Sequence, residues 1–309
     1  MNDCKLFPYI REDVYSIQEV KQSLGWEITA FDLPKKWKIS QGENVKIAVI
    51  DTGCDLNHSD LKDNLLPGKN FVERGTEPQD FNGHGTHVAG TICAINNNLG
   101  MVGVAPMCKV LPVKALSNDG SGNTKDVVDA VYWSADQKVD FITMSLGTPK
   151  NVPALEKAIK YALEKGTITF CAAGNAGNTK EIFYPANYKE TIGIGSIDEN
   201  FNRANFSCTG EDLDFLAPGV RIFSTVPNNW YAYMSGTSMS NPFVVGCAAL
   251  LLSYVRKNNL KINLKTPDDY RNIFKKHTIP LKDPKTSGKK FFEGFGIINP
   301  KEFEKWINN

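Results

Sequence analysis

Four short apolar runs constrain this chain more than any other feature. VKIAVI (45–50), KVLPVKAL (109–116), DFITMSL (140–146) and TITFCAA (167–173) show little of the polar–apolar alternation of a half-exposed strand. Such runs read as strands buried on both faces, the habit of parallel sheets. Between the later runs, KDVVDAVYWSADQK (125–138) and VPALEKAIKYALEK (152–165) place apolar residues three and four apart, as amphipathic helices do. Strand–helix alternation predicts an α/β fold, a single domain with a mostly parallel central sheet and helices on both faces. In such sheets the ligand site gathers at the carboxyl ends of the strands. VKIAVI runs into Asp51-Thr52-Gly53, DFITMS into Ser145-Leu146-Gly147, and TITFCAAG into Gly174-Asn175. Asp51, residues 145–147 and Asn175 are therefore expected along one rim.

A chain of 309 residues with 41% hydrophobic residues has enough apolar material for one large domain. Its 35 basic and 34 acidic side chains leave a net charge of +1, which predicts neither a nucleic-acid footprint nor a membrane-binding basic patch. No stretch approaches the ~18 consecutive apolar residues of a membrane span. The N-terminal MNDCKLFPYIRED is interrupted by charges and reads as no secretory signal. Cys4, Cys54, Cys93, Cys108, Cys171, Cys208 and Cys247 are scattered, with no C-x-x-C pair. That argues against a disulfide framework or a zinc site and for a reduced, cytoplasmic protein. The basic residues of 273–290 read as a solvated loop. The first twenty-odd residues and the tail after about 265 read as appendages.

Chemistry concentrates in three places. Gly236-Thr237-Ser238-Met239 precedes an apolar helical stretch, SNPFVVGCAALLLSYV, with Pro242 suited to a first helical turn. Ser238 is then either an ordinary helix cap or an exposed hydroxyl beside free backbone donors. FNGHGTHVAG (81–90) carries His84 and His87 three apart with no intervening Glu, unlike the H-E-x-x-H of zinc proteases. A paired-aspartate mechanism needs a second D-[ST]-G, and the chain has only the one at Asp51. The order Asp51, His84, Ser238 is one of the three in which unrelated folds assemble a serine-protease triad.

VKIAVIDTG, NGHGTHVAGT, MSLG, CAAGN and GTSM together resemble the motif set of the subtilisin-like serine proteases, continued by GVAP (103–106), LAPG (216–219) and GFGIIN (294–299). The resemblance covers roughly residues 40–300 in the family's order. It implies a serine endopeptidase with His84 as base, Asp51 as its orienting carboxylate, Ser238 as nucleophile, Asn175 as oxyanion-hole donor and His87 as a structural bystander. It implies that Gly120-Ser121-Gly122 and Ser145-Leu146-Gly147 hold a polypeptide substrate as an added strand. Ala172, Ala173 and Gly174 would wall the pocket for the residue before the scissile bond. Phe183 stands where the family usually has a small residue, and Ser240-Asn241 depart from its common Ala-[SA]; both departures bear on that pocket and on nucleophile packing.

The resemblance also implies a Ca²⁺ site built from the Asp60 carboxylate, the Asn97 side chain and the carbonyls of Ile95, Leu99 and Met101, with either Gln18 or Gln22 as a further ligand. Lys5-Leu6-Phe7-Pro8-Tyr9-Ile10 resembles the Leu-Ile-Pro-Tyr stretch of the intracellular subtilisins. In that branch a short extension lies across the cleft until it is removed. Residues 1–22 are accordingly expected as an inhibitory extension, with Leu6, Phe7, Pro8 and Tyr9 in the cleft, and 23–309 as the catalytic domain. Pro8, lacking an N–H, would spoil the scissile geometry. Members of the intracellular branch often dimerise, so the resemblance allows a homodimer without requiring one. The leading reading is broad intracellular protein degradation. A dedicated leader-processing peptidase and an inactive binding protein of the same fold are the alternatives.

Overall fold

The structure, a computed structural model, describes residues 4–307. Its core is a seven-stranded sheet whose strands run in the order Phe215–Pro218, Thr191–Ile197, Ile168–Ala172, Phe141–Met144, Lys46–Asp51, Lys109–Lys114, Lys69–Asn70. Every neighbouring pair is parallel. The apolar runs became strands because both faces are covered: residues 47–51 and 168–172 are buried without exception. Register then levels the strand ends. Ile50 pairs with Met144, and Met144 with Cys171, so Asp51, Ser145 and Ala172 emerge together at one rim.

Through the middle passes the helix Thr237–Lys257, with 18 of its 21 residues buried. By length and composition it could cross a membrane, but here it is the core helix, packed against the sheet and against the helix His84–Cys93. It begins at Thr237, so Pro242 falls in its second turn rather than its first. Proline there removes the N–H that would bond the carbonyl four residues back, that of Ser238. That carbonyl instead accepts the Ser145 hydroxyl at 3.0 Å.

The tail is no appendage. Tyr270, Phe274, Phe303 and Trp306 are buried, and their rings pack on one another and on Phe141, Phe170 and Phe215 of the sheet. The helix Pro267–Phe274 presents Tyr270 and Phe274, four apart, on one face, and Arg271 clamps the buried Asp214 at 2.8 Å. Abundant lysines in this segment mask a sparse but regular apolar stripe.

The helix Trp26–Ala30 buries Glu27, whose Oε2 has no hydrogen-bond partner among the described residues. Burial pushes its carboxyl up to about 7 from an ordinary 4.5. Between those values the folded chain keeps a proton that the unfolded chain has released. Stability is therefore fully present below pH 4.5 and falls by about 3 kcal/mol as pH rises through 7. Glu27→Gln, of the same shape, is expected to raise the thermal midpoint at pH 8 and leave it unchanged at pH 4. Calorimetry giving one pH dependence for both proteins would refute this.

Candidate active site

Asp51 ends its strand facing the first turn of the helix His84–Cys93. Both its carboxylate oxygens lie against His84 Nδ1, at 2.8 and 3.0 Å, and both side chains are fully buried. With Nδ1–H donated to Asp51, Nε2 is the free base of the imidazole. It is buried with no partner among the described residues. Glycine makes this approach possible: a Cβ on Gly85 would sit 2.1 Å from the Gly53 carbonyl and 3.2 Å from the Asp51 Cβ.

Asp80 fixes the geometry from behind. Its Oδ1 accepts from Thr52 Oγ1 and from the N–H groups of Asn82 and Gly83; its Oδ2 accepts from the N–H and the hydroxyl of Thr86. One buried carboxylate thus ties the histidine helix to the end of the aspartate strand, at the helix end where negative charge is favoured. Lys114 is buried beside it, donating to the Thr52 carbonyl, and desolvation lowers its ammonium pKa. His87 turns away, its Nε2 between the carbonyls of Ile222 and Ala232 at 3.1 and 3.2 Å. Burial, then the neighbouring His84, pushes it down to about 3, so it is neutral.

Ser238 is the second residue of the core helix. Its hydroxyl does not reach His84 but donates to the Ser145 carbonyl at 3.2 Å, while the Ser145 hydroxyl donates to the Ser238 carbonyl. This departs from the expected Ser–His bond, and the reason is the reciprocal exchange with Ser145. Asn175 follows Gly174, whose φ of +108° turns the chain at the end of its strand. The Asn175 Oδ1 accepts from the N–H and the hydroxyl of Thr237 at 2.9 and 2.8 Å. Its Nδ2 is thereby aimed outward, beside the first free N–H groups of the helix.

The chain's own N-terminal segment fills the cleft. Cys4–Leu6 is the middle strand of a three-stranded sheet, antiparallel to Ser121–Gly122 on one side and Leu146–Gly147 on the other. Leu6 N–H donates to the Gly120 carbonyl at 2.9 Å. Phe7 is buried edge-on to Phe183 at 5.6 Å and against Gly147. Phe183 in turn hydrogen-bonds the Ala173 carbonyl and adjoins Gly174. The Pro8 carbonyl accepts from Asn175 Nδ2 at 2.8 Å. The next ring, Tyr9, covers His84 at 5.0 Å, with its hydroxyl on Asn82 at 3.3 Å. Two consecutive residues of this segment therefore span from Asn175 to His84.

Around Asp60 the loop 95–101 gathers oxygen. Asp60 is fully buried with no lysine or arginine paired to it among the described residues. It accepts from Asn97 Nδ2 at 2.8 Å, Tyr231 hydroxyl at 2.8 Å and Met101 N–H at 3.2 Å. Gln22 reaches this loop, its amide 3.3 Å from the Leu99 carbonyl and 3.5 Å from that of Ile95. No group of three His, Cys, Asp or Glu side chains suited to a metal occurs among the described residues. A cation here would rest on one carboxylate and neutral oxygens, a donor set that fits a hard ion.

A carboxylate–imidazole pair, a helix-borne serine and an outward amide donor at the rim of a parallel sheet are the equipment of a serine hydrolase. The Subtilase family profile matches residues 42–296. The chain is 40% identical over 295 residues to the major intracellular serine protease of Bacillus subtilis (strain 168), covering 92% of this chain and 91% of that protein. It is 42% identical over 264 residues to the intracellular serine protease of Paenibacillus polymyxa (82% and 80%), and 42% identical over 238 residues to thermitase of Thermoactinomyces vulgaris (76% and 85%). The chain belongs to the subtilase family and is a subtilisin-like serine endopeptidase acting on polypeptides.

Proposed function

We propose that this endopeptidase degrades unfolded or damaged polypeptides inside the cell with broad side-chain tolerance, and is made with an inhibitory extension, residues 1–22, of which residues 4–9 lie in its own cleft. The observation that carries this reading is the seat of the N-terminal strand between Ser121–Gly122 and Leu146–Gly147, with Pro8 bonded to Asn175. A main-chain sandwich reads backbone rather than side chains, which favours broad specificity. Two relatives carry the word intracellular in their names, in keeping with a reduced compartment for seven buried cysteines.

In catalysis the Ser238 hydroxyl swings off the Ser145 carbonyl toward His84 Nε2, which takes its proton as Oγ attacks the substrate carbonyl. Asp51 holds the imidazole and stabilises the imidazolium; Asn175 Nδ2 and the Ser238 N–H receive the oxyanion. His84 then returns the proton to the leaving amine, and water repeats the cycle on the acyl-enzyme. The lodged segment escapes this chemistry by register. Phe7 fills the pocket walled by Gly147 and Phe183, yet Pro8, one residue later, supplies the carbonyl to Asn175. The pocket and the oxyanion donor are thus served by different residues, so no single peptide unit is set for attack.

Asp60, Asn97, Gln22 and the carbonyls of Ile95, Leu99 and Met101 would hold Ca²⁺, which would neutralise a buried carboxylate and tie the loop to the chain at residue 22. Calcium is expected to raise the thermal midpoint of the wild type, with Asp60→Asn indifferent to it. An equal rise in both would remove the site.

A second reading, a dedicated processing peptidase, draws on the Phe183 ring narrowing the pocket. Incubation of the protein, once cut after residue 20 and freed of its N-terminal segment, with denatured casein separates the two. Many fragments support degradation, one or none supports dedicated processing, and failure of a fluorophosphonate to label Ser238 leaves only an inactive binding protein.

A further inference from the structure

Beyond the catalytic groups, the N-terminal segment continues along a second edge. Ile10–Ser16 pairs antiparallel with Trp230–Ser235, from Ile10 opposite Ser235 to Ser16 opposite Trp230, with a bulge that leaves Asp13 at φ +34°. Trp230–Ser235 is the middle strand of its sheet only because this segment covers it; its other neighbour is Ile222–Val226. Departure of the segment leaves a bare row of N–H and C=O groups, running directly on from the catalytic groups.

One side chain gives that edge a chemical preference. Arg221, at the turn into Ile222–Val226, lies over the Tyr233 ring at 4.9 Å and is held by its own N–H to Ser235 Oγ at 2.8 Å. Its two terminal nitrogens face carboxylates of the lodged segment, Nη1 on Glu12 and Nη2 on Asp13 at 3.2 Å. Glu12 stands directly opposite Tyr233 in the register. With the Pro8 carbonyl at the oxyanion donor, Tyr9 is the first residue past that position, Ile10 the second and Glu12 the fourth.

We infer that Trp230–Ser235 is a docking edge for the part of the substrate that follows the cut bond, and that Arg221 on Tyr233 selects a carboxylate side chain four residues past that bond. This rests on the endopeptidase reading above and deepens it. The substrate enters as an added strand. A guanidinium stacked on an aromatic face is pre-oriented to fork onto a carboxylate without losing much freedom. Being at the rim, the pair acts mainly on productive encounter and weakens with salt. The lodged segment uses the same preference against the enzyme, since Glu12 and Asp13 occupy the place where a substrate acid would bind.

The test uses the protein cut after residue 20 and separated from its N-terminal segment, as verified by intact mass, so that Trp230–Ser235 is uncovered. A denatured protein mixture is digested and the cut sites are mapped by mass spectrometry. In parallel, two fluorogenic peptides differing only in Glu or Gln at the fourth residue past the cleaved bond are compared. Asp and Glu are expected to be enriched at that residue, and kcat/KM for the Glu peptide to exceed that for the Gln peptide about three- to fivefold at low salt, converging near 1 M salt. Arg221→Gln should erase the enrichment, and Arg221→Glu should shift it to Lys and Arg. Many cuts with no bias at the fourth residue, or a bias unmoved by both variants, would overturn the inference and leave the endopeptidase reading intact. Absence of any cut, with Ser238 unlabelled by fluorophosphonate, would sink the endopeptidase reading and this one with it.

Discussion

Cleavage of the chain after residue 20 is expected to raise its peptide hydrolysis about a thousandfold. The lodged strand is tethered a few residues from its site, which sets its effective concentration near a millimolar. An extended peptide held at about the micromolar level then leaves roughly one molecule in a thousand open. The contacts to be undone are the two-sided strand pairing of Cys4–Leu6, the Phe7 side chain beside Phe183, the Pro8–Asn175 bond and the Tyr9 cover on His84. The measurement is initial rate on a short chromogenic peptide, with intact and cleaved chains verified by mass. Equal initial rates would mean that the strand exchanges freely with substrate and inhibits nothing. A lesser variant makes the same point within the intact chain: Pro8→Ala, which restores an ordinary backbone, is expected to be cut by its own active site faster than the parent.

Asn175→Ala is expected to lower kcat by about 10²–10³ while KM stays within about twofold. That range was established on a subtilisin, so it is transferred here within the family rather than obtained from the geometry. What the structure adds is the reason for the KM. The Asn175 amide is fixed by Thr237 through two bonds to its oxygen, so its Nδ2 is pointed before any substrate arrives. A preset donor contributes most where charge develops, on the tetrahedral oxygen, and little to the resting carbonyl. A loss seen in KM alone would assign Asn175 to ground-state binding. In the intact chain the same substitution also removes the Pro8 contact, so the cleaved chain is the right background.

The sheet is legible in the sequence because residues buried on both faces leave an unbroken apolar run, and the site because each run ends in one small or polar residue. Asp51, Ser145 and Asn175 can be placed on one rim from that alone, as the pairing of Ile50 with Met144 and of Met144 with Cys171 bears out. Other features depend on contacts between distant segments and leave no local mark. Asp80 meets Thr52 across 28 positions and Ser145 meets Ser238 across 93. Asp80 does carry a readable signal, an acidic residue shortly before a helix start, but nothing in the sequence ties it to the strand end. Pro242 lies deeper in its helix than expected because the helix begins at Thr237, earlier than a proline-first rule suggests. The tail belongs to the core against expectation because its many lysines outweigh Tyr270, Phe274, Phe303 and Trp306 in any average over the segment.

Residues 21–23 are stitched to the oxygen-rich loop: Lys21 bridges Leu99, Ser23 N–H donates to the Gly100 carbonyl at 2.7 Å, and the Gln22 amide lies against the carbonyls of Leu99 and Ile95. Shortening the chain therefore has a floor. A cut that spares Lys21 frees the cleft and keeps the loop fastened, whereas one a few residues deeper wins the same freedom by unpicking the seam that keeps the loop in shape. A trimming ladder from either side of Lys21 should thus give two kinds of product: one awake and durable, the other awake and short-lived.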